Sequence, residues 1–157
     1  MNDSVGANRR LWFLNTRVEV RVSHEDGADK ISVLEHQAPH GDSPPLHIHR
    51  NEDEVFHVLE GDLRVVVGGS EMRAGAGQTL ILPKGTPHTY RVESPHGARC
   101  LTITAGKDFE NFVRAFARAA ERGGLPDPSG PPTPEQAQAL ASVALQHGIE
   151  LVGPPLA

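Results

Sequence analysis

Three histidines and a group of carboxylates fall in two short stretches of this sequence, at spacings suited to holding a metal ion. The first stretch, Gly41 to Gly61, reads GDSPPLHIHRNEDEVFHVLEG and carries His47, His49 and Glu54. The second, Gly77 to Val92, reads GQTLILPKGTPHTYRV and adds His88. Imidazole nitrogens with one carboxylate suit Fe(II), Mn(II), Ni(II), Co(II) or Zn(II), whereas Ca(II) and Mg(II) prefer oxygen ligands. Neutral imidazoles and a single carboxylate on a divalent ion leave a charge of about +1 and open positions for a substrate or O2. Thiolate-rich zinc classes are excluded, because Cys100 is the single cysteine. Glu52 and Asp53 are rival carboxylates, expected to lie in solvent, while Glu54 begins a strand pattern.

The elements that must position these groups are short strands. Residues 17–23 (RVEVRVS) alternate, with Val18, Val20 and Val22 on one face. Residues 31–38 (ISVLEHQA) make a second strand after the polar turn at 24–30. His47 and His49 stand two apart on a strand and therefore share a face. Glu54 shares its face with Phe56 and Val58, and His88 with Tyr90 and Val92. Phe56, Val58 and Tyr90 are thus candidate pocket-lining residues. His57 falls three after Glu54 and faces outward. Alternation does not say which way Cys100 points, and His36, His40 and His96 are expected at the surface. Gly68-Gly69 marks a hairpin turn. Turn signals recur about every eight to twelve residues through 17–105, the pattern of an all-β sandwich or barrel.

The remainder of the chain reads differently. Residues 1–15 are expected to form a loosely held arm anchored by Leu11 to Leu14, with Trp12 over a barrel end or a subunit interface. Residues 108–122 place Phe109, Phe112, Val113, Phe116 and Ala120 at helical spacing, with Asp108 as cap and Gly123-Gly124 as stop. This stripe is expected to pack on the barrel wall or on a partner subunit. A capping box with proline at its first helical position, Thr133 to Gln136, opens a second helix that Gly148 ends. Residues 149–157 should run back over the barrel. The chain has 157 residues and a formal net charge of −5, with no run of Lys or Arg to track a nucleic-acid backbone. No apolar run reaches the roughly 18 residues of a membrane span, and the N-terminus lacks signal-peptide form. With its lone cysteine, the protein is expected in the cytoplasm as one domain: a barrel over 17–105 and a helical extension over 107–157.

The two stretches resemble the two motifs of the cupin superfamily. The first motif, G-x5-H-x-H-x3,4-E-x6-G, is matched by Gly41, His47, His49, Glu54 and Gly61. The second, G-x5-P-x-G-x2-H-x3-N, is matched by Gly77, Pro83, Gly85 and His88, with Val92 in place of the final asparagine. The resemblance implies an all-β double-stranded β-helix, a jelly-roll barrel, here followed by a C-terminal pair of helices. It also carries the metal-ligand role onto His47, His49, Glu54 and His88, for one divalent transition metal.

The whole chain is similar to small bacterial cupins of the quercetin 2,3-dioxygenase-like group. By that resemblance a small phenolic or enolisable molecule would bind the metal through a hydroxyl whose proton Glu54 takes. A metal-bound carboxylate is a weak base, so that role requires Glu54 to loosen its bond. A metal-dependent isomerase or decarboxylase of a small metabolite uses the same ligands, and a non-catalytic small-ligand-binding cupin retains them too. Small cupins also pair, so a homodimer is expected.

Overall fold

The computed structural model describes residues 9–157. The expectations for residues 1–8 lie outside the described residues. Strands β1 (Arg10–Phe13), β2 (Thr16–Val22) and β3 (Ile31–Ala38) precede the first motif. The motifs themselves span β4 (Leu46–His49), β5 (Glu54–Glu60), β6 (Asp62–Val67), β7 (Ser70–Gly75), β8 (Thr79–Leu82) and β9 (His88–Val92). Strand β10 (Ala98–Ala105) closes the set, followed by helix α1 (Asp108–Phe116), β11 (Arg118–Ala119), helix α2 (Pro134–Gln146) and β12 (Ile149–Gly153). They form a seven-stranded sheet, β11-β1-β2-β3-β10-β5-β8, and a five-stranded sheet, β12-β4-β9-β6-β7. All pairings are antiparallel. This is the jelly-roll barrel that the resemblance implies.

Alternation sets what faces inward. Ser32, Leu34, His36 and Ala38 are buried on β3, Glu54, Phe56 and Val58 on β5, and Ala98, Cys100, Thr102 and Thr104 on β10. Cys100 therefore points into the barrel. Val22 departs from its strand's pattern: a register shift between Val20 and Val22 leaves Val22 exposed. The hairpin glycines Gly68 and Gly69 both have positive φ, 56° and 83°, the conformation that a two-residue type I′ turn demands. Gly61, at φ 86°, also sits where a Cβ would come within 2.5 Å of the Gly97 carbonyl oxygen, so only glycine fits.

Two apolar clusters flank the barrel core of Phe56, Val58, Leu63, Val65, Leu82 and Val92. Val113 of α1 packs on Leu11, Val18, Val20 and Leu34, and Phe112 joins Leu140, Ala144 and Ile149. The tail corrects three expectations. Residues 10–13 are a strand paired to β2, not part of a loosely held arm. Trp12 is 3% exposed within one chain, its Nε1 donates to the Gly124 carbonyl at 3.0 Å, and Arg118 and Arg122 lie over its ring. Helix α1 stops at Phe116 rather than running to Arg122, because Arg118 and Ala119 pair with β1 and this tertiary pairing overrides helix propensity. The extension is also not purely helical, since β12 pairs along β4. The second helix has its expected capping box, with Thr133 and Gln136 bonding reciprocally.

Candidate metal centre

His47 and His49 project from β4, Glu54 opens β5 and His88 opens β9. Register brings them together: His47 lies opposite His88 across the β4–β9 pair. The turn of the second motif is tied to the first by the Gly85 amide, which donates to the His49 carbonyl at 2.8 Å. One ligand atom from each of His47, His49, Glu54 and His88 lies within 4.8 Å of the others. Such a group can hold a metal ion.

The hydrogen bonds around it select which nitrogens face inward. His47 Nδ1 donates to the Pro45 carbonyl at 2.8 Å and His88 Nδ1 to the Thr86 carbonyl at 3.1 Å. Each ring is thereby oriented with Nε2 turned to the centre, the outer-shell arrangement that metal-ligating histidines use. Both His49 ring nitrogens are buried and make no hydrogen bond, Nε2 facing only the Glu54 carboxylate, which fits a metal-ligand donor set. Glu54 Oε2 lies 2.9 Å from His88 Nε2 and 3.2 Å from His49 Nε2. Burial pushes the Glu54 carboxyl up, but the histidines outweigh it and hold the group down to about 2. Burial and the neighbouring rings push the His47 imidazole down to about 3, so it is neutral at pH 7.

Three residues around the centre were not legible as site residues. His36 is not at the surface. It is 6% exposed, stacked on Phe109 with ring centroids 5.9 Å apart, and its Nε2 is buried without a partner. Its place between Leu34 and Ala38 in an alternating strand was the signal for this. Phe109, from the helix stripe, also reaches His49 at 5.5 Å and so covers the centre. Glu52 is buried rather than solvated. Its carboxylate accepts from the Asp108 amide at 2.7 Å and the Phe109 amide at 3.2 Å, replacing the expected Asp108 cap. Asp53 is exposed, and accepts from the Lys84 amide at 2.9 Å.

The other candidates fall as follows. Phe56 and Val58 face inward within the barrel core, and Tyr90, half-buried, meets Phe56 edge-on at 5.4 Å. His57 points outward to Thr79 Oγ1 at 2.8 Å. His40 and His96 are exposed. A separate groove lined by Pro39, His40, Asp42, Leu125 and Pro126 contains none of the four clustered residues.

Residues 33–104 match the family model described as the cupin domain. The chain is similar to small cupins and resembles the quercetinase-like group among them. It is 29% identical over 99 residues to a quercetin 2,3-dioxygenase of Bacillus subtilis, a match covering 63% of this chain and 29% of that protein. The chain thus spans well under half the length of that relative. Among solved structures, the polyketide cyclase RemF from Streptomyces resistomycificus is 26% identical with a TM-score of 0.51, over 57% of this chain and 64% of the other. A protein of Thermotoga maritima, described as a predicted oxalate decarboxylase, shares the fold. It has a TM-score of 0.55 at 21% identity, over 57% of this chain and 79% of the other.

Proposed function

We propose that this cupin is a metal-dependent, dioxygenase-type oxidoreductase acting on a small phenolic or enolisable compound. In this reading His47, His49, Glu54 and His88 hold one divalent transition metal, and Glu54 also serves as the base. The carrying observation is the charge of the interior. Among the described residues, no Lys or Arg is buried, while three histidines and Glu54 converge. Arg91 and Arg99 alternate outward, paired with Glu93 and with Glu35 and Glu60. The net charge of about +1 left on a divalent ion matches one enolate or phenolate. Phosphorylated sugars and dicarboxylates would need a further cation, which weighs against the isomerase and decarboxylase reading. Two relatives point the same way by name, since quercetin and polyketides are both enolisable and oxygen-rich.

When bound, the metal supplies Lewis acidity toward a substrate hydroxyl and the redox chemistry that O2 requires. The protein's residues do the rest. The Pro45 and Thr86 carbonyls fix the His47 and His88 rings. Glu54 is a weak base while His49 and His88 hold its Oε2, and becomes an effective one when that oxygen turns to the substrate hydroxyl and takes its proton. Phe56, Tyr90 and Val58 form the apolar wall against which an aromatic ring lies, and Phe109 excludes water from the His49 side. A cytoplasmic homodimer completes the proposal. Its support is the reduced, buried Cys100 and the exposed apolar side chains Ile81 and Leu145, not Trp12 or Phe112, which are buried within one chain.

Metal analysis followed by O2-uptake measurements on the Fe(II), Mn(II), Ni(II) and Co(II) forms tests this reading, using a panel of flavonols and 1,3-diketones. Uptake is expected with at least one pair, lost in His88→Ala and reduced about 10²-fold in Glu54→Gln. No uptake across the panel with fully metallated protein would overturn it. Tight binding without conversion would assign the chain to the ligand-binding cupins.

A further inference from the structure

Several inward-facing polar groups around the four clustered residues have no part in holding a metal. His36 Nε2 and Thr104 Oγ1 are buried and have no hydrogen-bond partner. Tyr90, half-buried, carries a further hydroxyl and meets Phe56 edge-on at 5.4 Å. The strand pairings put His36, Thr104 and their neighbours on one face of the seven-stranded sheet. Thr104 lies opposite Glu54, Thr102 opposite Phe56, and Cys100 opposite both Val58 and His36. Tyr90 meets this wall through Phe56, and His36 joins it to the centre through Phe109, whose ring touches both His36 and His49. Leaving a buried polar group unpaired is costly, so such groups in a native interior call for an explanation. Helix packing does not supply one for His36: it stacks on Phe109 through its ring face and leaves Nε2 free.

We propose that His36 and Tyr90 are specificity-determining residues, which hydrogen-bond oxygen groups of the substrate remote from the atoms that meet the metal. This rests on the oxygenase reading above and narrows its substrate class. Burial keeps the His36 imidazole neutral, with its pKa down at about 4, and a phenol is ordinarily neutral at pH 7. Both therefore offer uncharged donors and acceptors. The groups they select are hydroxyls or carbonyls, not carboxylates or phosphates. A site built to hydrogen-bond a substrate hydroxyl discriminates strongly against an analogue that lacks it, because its own polar atoms are then left unpaired. The substrate is thus a polyhydroxylated aromatic or polyketone, rather than a bare enol.

The probes are quercetin and 3-hydroxyflavone, which share the hydroxyl–carbonyl pair able to meet a metal and differ in the remaining ring hydroxyls. Each is titrated under argon into the Co(II)-loaded protein, with affinity read from the visible Co(II) bands. The wild type is expected to bind quercetin at least about tenfold more tightly, the worth of one retained hydrogen bond. His36→Phe keeps the stacking on Phe109 and removes the nitrogens, and Tyr90→Phe removes one hydroxyl. Each should reduce the preference to about threefold or less, and His36→Gln should recover part of it. Unchanged preference in both phenylalanine variants overturns the assignment and leaves the oxygenase reading intact. Failure of both flavonols to perturb the Co(II) bands of the wild type also overturns the assignment, whereas the oxygenase reading falls only with the absence of O2 uptake across the whole panel.

Discussion

The His36 imidazole sits at about 4 rather than near its ordinary 6.5, because burial strips the charged form of water, and the carboxylates of Glu54 and Glu35 offset only part of that cost. The consequence for stability has a definite sign. In the fold His36 is neutral, while the unfolded chain takes up its proton below pH 6.5. Stability present at pH 7 is therefore lost as pH falls from 6.5 toward 4. Asp42 runs the other way, since burial raises its carboxyl to about 6 and its destabilising charge is removed on acidification. Comparing wild type with His36→Phe isolates the histidine. In urea unfolding of the metal-free proteins, the wild type should lose about 2 kcal/mol more than the variant between pH 7 and pH 5. Equal losses would show that His36 is not held neutral. Residues such as this mark the limit of reading by type. Spacing made His47, His49, Glu54 and His88 legible as a set, whereas His36 has no motif and only its strand's alternation places it inside.

At the scale of elements, the loop between β4 and β5 is locked to the start of α1. The Glu52 carboxylate accepts from the Asp108 and Phe109 amides, and Asn51 Nδ2 donates to Asp108 at 2.7 Å. A carboxylate on the first free amides of a helix acts as a cap and meets the positive end of its dipole. The fit is close, since a Cβ on Gly106 would come within 2.2 Å of Glu52 Oε1. The loop joins His49 to Glu54, so the helix and the four clustered residues hold one another in place. Glu52→Ala should cost about 1–2 kcal/mol in chemical denaturation of the metal-free protein. It should also weaken Co(II) binding, whereas Glu52→Gln should retain part of both. Wild-type stability in Glu52→Ala would show that the cap is dispensable. None of this was legible in the chain, because the cap and its helix are 56 residues apart in sequence. The capping box of α2 lies within four consecutive residues, 133–136, and was legible.

For the molecule as a whole, the barrel was readable because period-two alternation and turn residues are local, and the paired antiparallel strands follow from them. What was not readable is how the tail closes on the barrel. A helical stripe ended early to give β11, and an apolar run became β12. Both depend on edges that strands 1 and 4 offer only once folded. Trp12 and the Phe stripe are satisfied within the chain, so the proposed homodimer would use other surfaces. Ile81 on the edge strand β8 is 55% exposed, and Leu145 on α2 is 58% exposed. Sedimentation equilibrium should give the mass of a dimer, and Ile81→Lys should shift it toward monomer if β8 is the contact; a monomeric wild type would end the homodimer proposal. Strand β12 has a consequence of a different kind. It lies against β4 with Ile149 opposite His49 and Leu151 opposite His47, and Glu150 pairs with Arg50 at the strand's end. During synthesis the first histidine motif leaves the ribosome about a hundred residues before this neighbour, at roughly 5–20 residues per second. For several seconds the nascent chain carries all four clustered residues while the strand bearing two of them lacks its outer partner. Until β12 arrives, the strand bearing His47 and His49 keeps an open edge, so all four clustered residues are made before the sheet that carries two of them is complete.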